Sequence, residues 1–60
     1  MGHRAIKRRI TSLRQQIDEH ESKIANEMKL VHPDHELIIH WQVEIEAFNA
    51  SLQRAMKRLG

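Results

Sequence analysis

The 60-residue chain contains no cysteine. Disulfide staples and thiolate metal sites are therefore excluded. Proline occurs once, at position 33, and the two glycines stand at positions 2 and 60. Helix breakers are thus missing from two long stretches, one on each side of Pro33. Aromatic residues are scarce: Trp41 and Phe48, and no tyrosine. Neither lies near a basic cluster, so no stacking platform for single-stranded bases is visible. No apolar run approaches the roughly 18 residues of a membrane span. The basic start is not followed by an apolar core segment, so no secretory signal is read and a cytoplasmic protein is expected. There is no glycine-rich phosphate loop and no Ser-His-Asp or Cys-His arrangement. Catalysis, a cofactor, a resident metal and a small-molecule substrate are all unexpected.

The chain is also short of bulk. A domain of this size buries only roughly 60% of the surface its unfolded form exposes. Small scaffolds need a staple. With disulfides gone, self-association is the staple that remains.

What the sequence does contain is helical periodicity. Ile6, Ile10, Leu13, Ile17, His20, Ile24, Met28 and Val31 recur every three or four residues. They form one narrow stripe, close to a coiled-coil seam. Ile38, Trp41, Ile45, Phe48, Leu52, Ala55 and Leu59 form a second, flanked by Leu37 and Met56. Pro33 pushes His32 out of the α region and is itself favoured at a first helical position. The expected elements are helix 1 at about 3–31, a turn at about 32–34 and helix 2 at about 33–59. Asp34 and Glu36 supply negative charge to the start of helix 2, where the dipole favours it.

Folding the chain back at Pro33 pairs the stripes in layers. Ile6 meets Leu59, Ile10 meets Ala55, Leu13 meets Leu52, Ile17 meets Phe48, His20 meets Ile45 and Ile24 meets Trp41. A single all-α domain follows, a two-helix antiparallel coiled-coil hairpin. Helix 2 carries a further stripe, Ile39, Val43, Ala47 and Ala50, opposite its seam. Helix 1 has no equivalent. These four residues are the expected dimer interface, and two hairpins joined there would make a four-helix bundle.

Charge is segregated along the chain. Residues 1–14 carry Arg4, Lys7, Arg8, Arg9 and Arg14 and no acid. Residues 47–60 carry Arg54, Lys57 and Arg58 and no acid. All eight acids lie between. A hairpin gathers both basic segments at its open end and leaves the turn end acidic. Cations suit the C-terminus of helix 2, but at the start of helix 1 they oppose the dipole. Three readings of that cluster stand: a grip on phosphate, nucleic acid above all; a contact with the acidic part of a partner; or a solubilising tail.

Two histidine patterns complete the reading. Glu36 and His40 are one turn apart, with His32 and His35 close by, which is a weak metal-ligand pattern beside the simpler reading of exposed turn histidines. His20 interrupts an apolar seam near Glu44 or Glu46. It either fixes register or acts as a pH-sensitive break, with helicity falling below about pH 6 if protonation splits the hairpin.

In length and layout the chain resembles the Rop-type plasmid regulators, short helical hairpins that dimerise into four-helix bundles and bind paired RNA loops. The resemblance is one of layout across the whole chain, without a shared residue motif. It implies a hairpin dimer and keeps RNA among the partners. The small sporulation aspartyl-phosphatase hairpins, by contrast, carry a Ser-Gln-Glu-Leu-Asp signature that Trp41-Gln42-Val43-Glu44-Ile45-Glu46 does not reproduce. The expected function is a self-associating, non-catalytic interaction or assembly module, or a small regulator acting through protein contact. The alternative is a nucleic-acid-binding regulator that uses the basic open end.

Overall fold

A computed structural model describes residues 2–59. It is all-helical. Helix α1 spans Gly2–Met28 and helix α2 spans His35–Leu59, and the two pack against each other. Three contacts show that they run in opposite senses. Glu27 reaches Asp34 beside the turn, His20 reaches Glu44 further along, and Ala5, Ile6 and Arg9 share a cleft with Ser51 to Arg58 at the open end. His20 touches Glu44 and Phe48, which stand on either side of its expected partner Ile45. The layering read from the two stripes is therefore matched at this level.

The seam residues line this contact. Ile17, Ile38 and Ala55 are buried. Ile6, Ile10, Leu13, Ile24, Trp41, Ile45, Phe48, Leu52 and Leu59 are half-buried. Two helices give each side chain one facing wall and leave its flanks in water. No described side chain is fully buried for that reason.

Helix 1 is shorter than its periodicity implies. It ends at Met28 rather than near 31, and residues 29–34 form the connection. Met28 and Val31 continue the stripe in sequence but are exposed, Val31 by 89%. The chain reverses here without a glycine, and no described residue adopts positive φ. A tight left-handed cap is thus not used, and the reversal takes more residues. Lys29 N–H donates to the Asn26 carbonyl at 3.2 Å, and Leu30 N–H to the Glu27 carbonyl at 3.1 Å, closing the last turn. The Glu27 carboxylate accepts the Asp34 N–H at 3.0 Å and ties the end of α1 to the start of α2.

The start of α2 also differs from expectation. Pro33 is not its first helical residue. Asp34 is the N-cap: its Oδ1 accepts the Leu37 N–H at 3.1 Å, and its carbonyl accepts the Ile38 N–H at 3.1 Å. A carboxylate at that position satisfies a donor that proline at the first turn would leave alone. Pro33 sits one residue before the cap and holds His32 out of the helix.

The hairpin is long and thin, with extents of 49 × 14 × 12 Å. Its radius of gyration is 14.1 Å, against about 10 Å for a compact chain of this length. It exposes 5003 Å², against about 4,100 Å² for a compact monomer of the same mass. No described helix is long and apolar enough to cross a membrane.

Candidate interaction surfaces

Three features stand out on this frame. The first is the outer face of α2. Ile39 and Val43 are 57% and 58% exposed, and Ala47 and Ala50 are exposed beside them. Helix α1 covers none of the four, because it lies against the opposite side of α2. The face exists because α2 repeats apolar residues at two phases of its turn. Its seam binds α1, and its second stripe stays in water.

The second feature is the open end. Arg9, Arg54, Lys57 and Arg58 line one cleft of about 440 Å³, with Ser51 at its side and Ala5, Ile6 and Ala55 as apolar lining. No acidic residue lines it. Lys7 and Arg14 line a second cleft with Ile10, Thr11, Met56 and Leu59. Arg4 and Arg8 are exposed and line neither. The eight cations grouped by the sequence are thus spread around the open end, and four of them share one concavity. The antiparallel packing brings Arg9 to the three cations of α2. Thr11 is turned inward on its own helix, its hydroxyl donating to the Lys7 carbonyl at 3.1 Å.

The third feature is the histidine in the seam. His20 is largely covered, with 12% of its side chain exposed. Its Nδ1 lies 2.8 Å from the Gln16 carbonyl and its Nε2 lies 2.8 Å from Glu44 Oε2. Both neighbours are acceptors, so both bonds form only when both ring nitrogens carry hydrogen. The His20 ring also meets Phe48 edge to face, with centroids 5.1 Å apart and planes at 85°. The other oxygen of Glu44 pairs with His40 one turn earlier. The Glu44 carboxyl is held below its ordinary value of 4.5, chiefly by the hydrogen bond from His20. Burial opposes that shift, and the charges of His40, His20 and Lys23 add to it.

His20 thus bridges the two helices, from the Gln16 carbonyl on α1 to Glu44 on α2, where the rest of the seam is apolar. His40 matches Glu36 on spacing alone, but it turns to Glu44. Among the described residues no group of three or more His, Cys, Asp or Glu side chains comes together as a metal site. His32 and His35 do not join Glu36 and His40 in one. The i, i+4 spacing of His40 and Glu44 is readable from the sequence. Their sharing of Glu44 with His20 depends on the packing of α1 on α2.

Comparison of the chain with known protein families, with curated proteins and with solved structures finds no match.

Proposed function

We propose that this protein is a non-catalytic, cytoplasmic interaction module: a helical hairpin that self-associates through the outer face of α2 into a four-helix dimer. The observation that carries the reading is the exposed row Ile39, Val43, Ala47 and Ala50 on a helix that has already buried its other apolar side. The two alanines let a second helix approach closely, and Ile39 and Val43 supply area to bury. The surface excess of about 900 Å² over a compact monomer points the same way. It is close to the roughly 800 Å² that one partner contributes to a standard interface.

Sedimentation equilibrium tests this reading. The wild-type chain is expected to sediment as a dimer, and the Ile39→Glu/Val43→Glu variant as a helical monomer of 7.1 kDa. A monomeric wild type at the highest soluble concentration contradicts it.

A second reading has one observation in its favour. The four cations lining the open-end cleft, without an acid among them, suit a phosphate backbone. Such a protein would bind duplex DNA or hairpin RNA with an affinity that falls steeply with salt. Fluorescence anisotropy of labelled duplexes and hairpins, titrated at several salt concentrations, separates the readings. Loss of that binding in Arg9→Gln/Arg54→Gln, with the dimer intact, would establish the nucleic-acid role.

A further inference from the structure

The exposed face of α2 is also ordered by charge along its length. On a helix turning about 100° per residue, Glu36, Ile39, Val43, Ala50, Arg54 and Lys57 fall within an arc of about 80°. Ala47 lies at the edge of that arc. The face begins with an acid, continues through apolar residues and ends with two bases, and Glu36, Arg54 and Lys57 are all exposed. A surface with opposite charges at its two ends complements a reversed copy of itself.

We infer that the occupant of this face is α2 of a second copy, packed antiparallel with the two-fold axis beside Ala47. The inference rests on the dimer reading above and adds its orientation and order. In this arrangement Val43 of each copy packs on Ala50 of the other, large against small. Ile39 lies under the aliphatic stem of Arg54. Glu36 comes opposite the Arg54 and Lys57 end of the second copy. A parallel pairing would set Glu36 on Glu36 and Lys57 on Lys57, which like charges disfavour. The antiparallel pairing has one cost: the two Glu46 carboxylates stand near the axis, at the wet rim where solvent screens them.

The helix order follows from the same geometry. The seam and the outer face lie about 180° apart around α2. Each α2 therefore has α1 on one side and its copy on the other. The four helices form a row, with both α2 inside and both α1 outside. In a square bundle each helix would instead need two apolar faces at about a right angle. Each basic open end then lies beside the acidic turn of the other hairpin. The bases that meet that turn are those of α2; the cations at the start of α1 stand on the outer helices, one helix further away.

The chain's lack of cysteine makes the test direct. Val43→Cys and Ala50→Cys single variants are mixed and oxidised. The arrangement predicts a disulfide-linked heterodimer of the two variants from the mixture, and no linked dimer from Val43→Cys alone. In the antiparallel pair the two positions 43 stand about 10 Å apart along the axis, beyond the roughly 7 Å a disulfide spans. Cross-linking of Val43→Cys with itself overturns the arrangement. So does a sedimenting dimer in which the mixture yields no cross-link; in that case dimerisation stands and only its orientation fails. A wild type that stays monomeric removes both. Glu36→Lys adds a charge readout: it is expected to weaken the dimer about 3- to 10-fold, from two symmetry-related contacts. Arg54→Glu/Lys57→Glu in the same chain is expected to restore it, and an unchanged affinity in Glu36→Lys contradicts the pairing.

Discussion

The two helices are nearly equal in length but built to different standards. Helix α2 opens on the Asp34 cap, has Glu36 in its first turn and ends on Lys57 and Arg58. Each of these satisfies the helix's own dipole and end groups. Helix α1 has no acid in its first turn and no base in its last. It also has one apolar face where α2 has two. The difference teaches where the stability of the hairpin resides. Helix α2 has local support of its own, whereas α1 is held by its seam against α2.

The strongest way to break that comparison is to remove the seam from α1. Among the described residues of α1, Ile17 is the one that is buried. Ile17→Ala is expected to cost about 2 kcal/mol, the low end for such a truncation because a two-layer site can collapse. In urea melts followed by circular dichroism, the midpoint should fall with the slope unchanged. Amide exchange should accelerate in α1 more than in α2, and equal acceleration in both helices would show that α2 is no better supported than α1.

Removing the support local to α2 has a smaller effect. Asp34→Ala deletes the cap and is expected to cost about 1 kcal/mol. Its signature is faster exchange at Leu37 and Ile38, with the far end of α2 unchanged. Asp34→Asn should retain most of the stability. A loss spread evenly over the chain would mean that Asp34 acts through something other than the cap.

The seam's polar pair sharpens the comparison through pH. The Glu44 carboxyl is depressed in the folded protein, first by the His20 hydrogen bond. The stability it contributes is present above its ordinary value of 4.5 and is lost as pH falls through the lower folded value. Stability should therefore hold near neutrality and fall in acid, below the ordinary carboxylate range. His20→Leu removes the hydrogen bond that is the chief cause of the shift and should flatten that acid limb. An acid limb unchanged in His20→Leu would contradict this role for the bond.

Much of this fold was legible in the sequence, for a physical reason. A strict three-four repeat such as Ile6 to Ile24 has one way to bury itself, and its partner repeat from Ile38 to Leu59 lies just beyond the turn. The unburied stripe from Ile39 to Ala50 was legible by the same rule. What could not be read was where a repeat stops being used. Met28 and Val31 keep the period but have no facing residue once the chain must reverse. Reversal without glycine consumes residues that periodicity alone assigns to the helix. The Asp34 cap competed with Pro33 for the start of α2, and hydrogen bonding to backbone N–H groups decided it. The shared Glu44 required two spacings at once, one along α2 and one across the seam, and only the first is present in the order of residues.

The central claim is that α2 works on both sides, against α1 within the chain and against a second copy outside it. The most direct measurement is the thermal unfolding midpoint over a hundred-fold range of protein concentration, for the wild type and for Ile39→Glu/Val43→Glu. A dimer that stabilises the fold makes the midpoint rise with concentration. The wild type should show that rise, and the variant should melt lower and at one temperature throughout. A wild-type midpoint independent of concentration would contradict the claim and leave the outer face of α2 without a second copy.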